Sequence, residues 1–500
     1  METLKKILFL LTPYEKRNAA FLLLMILLMA VIDMVGVASI LPFMAVLVNP
    51  SVIEKNIILI NLFEALKIFG VENNQHFLFA LGILVFIILI FSLTFKTITS
   101  YMQVRFAEML EYRMSKRMVE GYLHQPYEWF LNKHSAELGK TILSEVSRVC
   151  SKGIRTIMEL IARSTVSIAI IILLFLVDPK LAFIIGFSLG GAYGVIYFFT
   201  RRYLNRIGEQ SLQQNNLRFK SIIEAFGASK EVKVGGLEKN FVKNFAKPAK
   251  IFALNQASTE IISTLPRFIL EAIAFGGILL MILYMMLQSG SFYSALPIIS
   301  LYVFAGYRLL PALQEIYSSF IQITYTKPSI DKIYQDAKSL EPINLNQEEG
   351  ILPFNKVISL KNINYNYPNA SKVSLKNISL NISFKNTIGI VGATGSGKTT
   401  IVDIILGLLE AQKGTLEIDG QIVTRNNSRS WQRAIGYVPQ QIYLADDTIA
   451  NNIAFGQDTN SIDHLAVEKA SKIANLHEFV MSELPKQYQT TIGERGVRLS

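Results

Sequence analysis

A single cysteine, Cys150, stands among 500 residues. That excludes an intrachain disulfide framework and leaves no thiol partner for a metal site, so Cys150 reads as a packing residue. Charge is sparse as well: 17% of residues are charged against 51% hydrophobic, and a mean hydropathy of +0.35 is too apolar for an ordinary soluble protein. Membrane spans are expected. No cleavable leader is expected, because the first apolar stretch, Ala19 to Val48, is far longer than a signal h-region and no small-residue cleavage site stands out after it. The formal charge of +11 comes without the aromatic-rich platform that single-stranded nucleic acid needs. No nucleic-acid partner is expected, and basic cytoplasmic loops account for the charge.

One stretch names its chemistry by spacing alone. Gly392-Ala393-Thr394-Gly395-Ser396-Gly397-Lys398-Thr399-Thr400 satisfies G-x-x-x-x-G-K-[ST], after an apolar run, Thr387 to Val391, expected as a strand, and before a helical continuation, Ile401 to Leu406. Glycines there let backbone N–H groups close around phosphates, and the following helix turns its positive end to them. Lys398 adds a point charge, and the Thr399 hydroxyl can ligate Mg²⁺.

The length allows two to four domains, and the chain divides into a membrane part, 1–340, a linker, 341–351, and a soluble part from 352 to 500. Six spans are expected at about 19–48, 77–100, 160–177, 181–200, 266–287 and 294–318. Lys5, Lys6, Lys16 and Arg17 precede the first, and Arg201 to Lys250 holds eleven Lys and Arg against four acids. The long connections therefore belong in the cytoplasm, with both termini on that side. Asp33 lies inside the first span, facing either a cavity or a neighbouring span. In 49–76, Ile58, Leu62, Phe63, Leu66 and Phe69 share one helical face; the segment lies on the outer membrane face or caps the spans. The long connections keep a helical pattern, and their tips, Gln125 to Phe130 and Gly227 to Val234, carry aromatic and charged residues that would pack on the soluble domain. Val357 to Tyr367 and Val373 to Ile382 alternate as strands.

Six spans with cytoplasmic extensions, followed by a phosphate loop on the same chain, resemble the half-transporters of the ABC exporter family. The resemblance implies a multidomain chain: an all-α six-helix exporter domain, then an α/β P-loop nucleotide-binding domain. Tyr367, in Asn364-Tyr-Asn-Tyr-Pro368, matches the aromatic that stacks on adenine, so ATP and Mg²⁺ are the implied ligands. Gln440, in the Tyr437 to Asn452 stretch, matches the glutamine that touches Mg²⁺ and the attacking water. Thr491-Ile-Gly-Glu-Arg-Gly496 matches the exporter-specific loop. Leu499-Ser500 resemble the start of the family signature, and the catalytic glutamate expected after it is not in the chain. The domain is therefore expected to be incomplete, the sequence a piece of a longer protein, and the 500 residues alone incompetent for hydrolysis. The family implies a homodimer, since each nucleotide site is shared between two subunits.

Within the family the membrane part is most similar to bacterial flippases for lipid-linked oligosaccharides, through Leu41-Pro-Phe43, Pro266-Arg-Phe-Ile-Leu-Glu271 and Tyr307-Arg-Leu-Leu-Pro311. That implies a bacterial inner-membrane protein with a lipid-linked glycan as cargo. Arg267 near the start of the fifth span, Arg308 in the later half of the sixth and Lys96 near the end of the second share the depth of the inner-leaflet head groups. Buried cations need water, an acid or an anionic ligand, and arginine suits phosphate oxygens. Against a ligand role, Glu271 can neutralise Arg267 across one helical turn, and Lys96 can snorkel. Export of another lipid, a peptide or a drug is the alternative cargo, and an ATP-responsive membrane regulator without transport is a second alternative.

Overall fold

The computed structural model describes residues 2–500 except 69, 178, 265, 269–270, 273–274, 278, 281–282, 284–291, 343–349, 369–372, 441 and 494–500. It divides into two compact units, Met1–Leu345 and Asn346–Ser500.

The first unit is helical. α1 (Glu2–Leu10) leads through Thr12 into α2 (Pro13–Ala38), whose start is a capping box. The Thr12 hydroxyl accepts from the Glu15 N–H at 3.3 Å, and the Glu15 carboxylate accepts from the Thr12 N–H at 2.8 Å. After Ser39 the chain continues as α3 (Ile40–Val48) and then a short helix, α4 (Ile57–Lys67). Long helices follow: α5 (Asn74–Leu123), the short α6 (Tyr127–Leu131), α7 (Ser135–Val177), α8 (Pro179–Gly227), the short α9 (Ser229–Val234), α10 (Glu238–Thr264) and α11 (Phe292–Ser339).

Among the described residues, three helical stretches are long and apolar enough to cross a membrane: Pro13–Val48, Asn74–Leu123 and Ser135–Val177. They contain the first three expected spans. The fourth and sixth, 181–200 and 294–318, fall inside α8 and α11, helices of 49 and 48 residues. At about 1.5 Å per residue each is roughly 70 Å long, more than twice the hydrocarbon thickness. The expected helical extensions are thus continuous with the spans. The fifth expected span, 266–287, lies partly outside the described residues.

Several apolar clusters hold this unit. Ile7, Leu10, Leu110, Met114, Val146, Val149, Ile154, Ile330 and Ile333 pack α1, α5, α7 and α11 together, with Cys150 fully buried among them as expected. Ile26, Ala30, Ala162, Val166, Ile170 and Ala305 pack α2 against α7 and α11. Helix α4 packs on the neighbouring long helices: Leu59 is buried with Val46, Phe77 and Leu81, and Leu62, Phe63 and Leu66 lie against them. Ile58, expected on that stripe, instead stands 75% exposed beside Ile57, and Phe69 lies outside the described residues. Trp129 at the first loop tip is half-buried within its own unit, 5.3 Å from the Tyr122 ring and beneath the Lys133 ammonium.

α7 is π-helical at Thr141–Glu145 and Val149–Ile154. There the wholly buried Glu145 carboxylate gathers groups from three helices. Lys140 Nζ lies at 3.2 Å and Arg148 Nη1 at 4.0 Å. Asn215 Nδ2 of α8 donates at 3.1 Å and Ser329 Oγ of α11 at 2.6 Å.

The second unit is built on an antiparallel sheet, order β2-β1-β3-β4, of β1 (Val357–Tyr365), β2 (Leu375–Ser383), β3 (Lys413–Ile418) and β4 (Gln421–Ile422). The alternation read in 357–367 becomes a buried face of Ile358, Leu360, Ile363 and Tyr365, packed with Leu375, Leu416, Ile418 and Trp431. Asp419, at the β3–β4 turn, accepts backbone N–H bonds from Asn355, Lys356 and Val357 at 2.7, 2.8 and 2.7 Å. Those donors, Val357 first, hold its carboxyl below the usual range.

The expected strand at Thr387–Val391 does not form. Among the described residues no strand lies beside it, so its backbone finds no ladder partner there, and Val391 is 91% exposed.

Candidate nucleotide site and intramembrane charges

The phosphate loop leaves the sheet after β2 and enters α12 (Lys398–Ile405). Its turns depend on glycine: Gly395 and Gly397 have φ of +82° and +91°, the left-handed region closed to most side chains. At Gly397 a Cβ would also meet the Ser374 carbonyl oxygen at 2.9 Å and Leu375 Cδ2 at 2.7 Å. The loop therefore lies against the start of β2 with no room for a side chain.

Gly392 to Ser396 and Thr399 are exposed, while Thr400 is buried one residue further along the helix. Lys398 Nζ donates to the Gly392 and Ala393 carbonyl oxygens at 2.9 and 3.0 Å, which folds the ammonium over the loop. Backbone donors at a helix N-terminus, a cation held over them and an exposed hydroxyl form a set that fits phosphate oxygens and Mg²⁺. Thr399 would hold the metal and Lys398 the phosphates.

Tyr367 shares a 3.1 Å hydrogen bond between its phenol oxygen and Thr400 Oγ1, and its ring meets Tyr365 edge-on at 5.1 Å. The structure thus ties the expected adenine platform to the helix that carries the loop. Below them Asp403 is buried, and that burial pushes its carboxyl up. Gln440 is exposed in the segment after Pro439. It makes none of the hydrogen bonds that join Tyr367, Thr400 and the loop. Of the exporter-specific loop, Thr491 pairs with Thr448 as an isolated bridge and Ile492 is buried with Ile449 and Val480; 494–496 and Leu499-Ser500 lie outside the described residues.

In the membrane unit the three candidate cations have different surroundings. Arg267 Nε donates to Glu271 Oε1 at 2.6 Å, the intrahelical neutralisation that the sequence left open, and the arginine is 53% exposed. Arg308 of α11 is ion-paired with Asp33 of α2, and Asp33 Oδ1 also accepts from Ser92 Oγ of α5 at 2.8 Å. Of the two readings of Asp33, contact with neighbouring spans is the one realised. Lys96 is half-buried and has no ion pair among the described residues. Sequence reasoning missed a second intramembrane pair, Arg163 of α7 with Glu315 of α11. Its signal was present: Glu315 follows Arg308 by two helical turns on one face, and Arg163 opens the third span.

The comparisons agree with this architecture. The family described as the ABC transporter transmembrane region matches residues 56–309, and that described as ABC transporter matches 375–499. The chain is 25% identical over 403 residues to an ATP-dependent lipid A-core flippase of Cupriavidus metallidurans, covering 78% of this chain and 65% of that one. It is 34% identical over 195 residues to the ABC transporter ATP-binding protein YfiB of Bacillus subtilis, covering 39% and 33%. The chain thus spans between a third and about two thirds of the length of these relatives. Among solved structures, a bacterial Atm1-family ABC exporter with ATP bound superposes with a TM-score of 0.71 at 18% identity, covering 97% of this chain and 81% of that one. That likeness establishes the shared fold. With the transmembrane family spanning half of its residues and the ATP-binding family covering its phosphate loop, the chain belongs to the ABC transporter family.

Proposed function

We propose that the protein is one half of an ATP-driven exporter, working as a homodimer in a bacterial inner membrane with both termini in the cytoplasm, its six spans reaching from α2 to α11. It moves an amphipathic lipid with an anionic head group, a pyrophosphate-linked oligosaccharide, from the cytoplasmic to the outer leaflet. The observation that carries the ATP part is the loop itself: left-handed Gly395 and Gly397 with Lys398 folded over the exposed backbone. Lys398, Thr399 and the loop amides bind the phosphates and Mg²⁺, Tyr367 stacks on the base, and Gln440 reaches the metal and the water. ATP binding draws two soluble units together, and differential affinity for the two arrangements drives the membrane helices between them.

The cargo part rests on Arg308, a cation inside a membrane helix where a phosphate can meet it. Relatives named as lipid A-core flippases support a lipid cargo. The rival, export of a drug, peptide or other lipid, is favoured by one observation: both arginines already have acids, Glu271 and Asp33. Flipping assays on the intact protein in vesicles separate the two. Lipid pyrophosphates should be flipped, with Arg267→Ala and Arg308→Ala each slowing them; unchanged flipping in both variants, with ATPase stimulation by apolar drugs, would establish the rival.

A further inference from the structure

We infer that Asp33 is a selectivity residue of the cargo site: an internal counter-ion that occupies Arg308 until a doubly charged head group displaces it. The inference rests on the cargo reading above and concerns what keeps that site from filling with ordinary phospholipid.

An unpaired arginine that head groups can reach from the inner leaflet meets phosphodiesters of the bilayer at very high local concentration. A site that merely attracts phosphate would be saturated by them. Discrimination needs a competitor that a weak anion loses to and a stronger one beats. Asp33 has the required placement. Its carboxylate pairs with Arg308, and the pair is asymmetric: the Arg308 side chain is 16% exposed and that of Asp33 6%. Arg308 Nη1, the atom against the carboxylate, is itself buried, so a head group meets the outer part of the Arg308 side chain while the carboxylate stays shielded. A pyrophosphate brings two anionic groups and bidentate geometry to the same fork, whereas a phosphodiester brings a single charge, no more than Asp33 already supplies.

Displacement must not strand a carboxylate in hydrocarbon. A hydroxyl on α5 limits that cost. Ser92 Oγ donates to Asp33 Oδ1 at 2.8 Å and need not move when Arg308 turns away. Asp33 thus keeps a donor when its cation turns away.

Apparent cargo affinity then scales with the fraction of time Arg308 is free of Asp33. The test is ATPase stimulation of the intact protein in phosphatidylcholine vesicles, titrated with a polyprenyl pyrophosphate and separately with phosphatidylglycerol. Asp33→Asn, which keeps size and the Ser92 contact, should lower half-saturation for the pyrophosphate by about three-fold or more and shrink the preference over phosphatidylglycerol. Ser92→Ala should act in the opposite direction, raising half-saturation, because the carboxylate then clings to Arg308. Structural damage alone does not give opposite signs. Should Asp33→Asn fail to fold, Ser92→Ala decides by itself. Unchanged or reversed responses, with Arg308→Ala still weakening the pyrophosphate response, would overturn the role of Asp33 and leave the cargo reading standing. If Arg308→Ala also has no effect, the cargo reading falls and this inference with it.

Discussion

Gly397 shows how a single residue fixes the nucleotide site. Its φ of +91° and the 2.9 Å approach to the Ser374 carbonyl both exclude a side chain, so Gly397→Ala combines backbone strain with a clash against main chain. Left-handed strain is worth on the order of 1–3 kcal/mol. The variant should lower the unfolding midpoint of the soluble unit and weaken binding of a fluorescent ATP analogue, whereas Lys398→Ala should leave the midpoint unchanged. Equal midpoints for Gly397→Ala and the parent would contradict the geometry. The phosphate loop was legible in the sequence because its conformation is decided locally, by where glycine stands relative to Lys398 and Thr399. The partner of Asp33 was not. Ser92 and Arg308 are distant in sequence, and three helices must pack before one carboxylate can choose between a cavity and a neighbour.

Helices were legible and strands less so, for a physical reason. A helix satisfies its own backbone, so the apolar stretch and its polar continuation in α8 or α11 announce themselves within one segment. A strand needs a neighbour, and Thr387–Val391, read as a strand from composition, has none beside it among the described residues. Helix packing conceals a buried polar centre in the same way. Glu145 looks like a surface residue of an extended cytoplasmic helix, yet it is wholly buried with Lys140, Asn215 and Ser329 around it. Removing one partner of a buried charge pair strands the other at a cost of about 3–5 kcal/mol, while replacing both by apolar groups is close to neutral. Lys140→Met should therefore lower the thermal midpoint of the protein in detergent sharply, and Lys140→Met combined with Glu145→Leu should recover much of the loss. A double variant as unstable as the sum of both single ones would show that the centre is not a pair.

At the scale of the whole molecule, two compact units share one chain: a helical one with ion pairs linking α2 to α11 and α7 to α11, and one organised around an exposed phosphate loop. The family membership joins them into a single proposal, that nucleotide bound at Gly392–Thr400 drives movement of a lipid past Arg308. The phosphate loop was readable from spacing, whereas the pairing of intramembrane charges, on which the proposed choice of cargo rests, emerges only from the fold. The most direct test is ATP-dependent flipping of a fluorescent lipid pyrophosphate by the intact protein in sealed vesicles, comparing the parent with Lys398→Ala. The account predicts flipping that requires Mg-ATP in the parent and is abolished in Lys398→Ala despite normal folding. Flipping by Lys398→Ala at the parent's rate would contradict it.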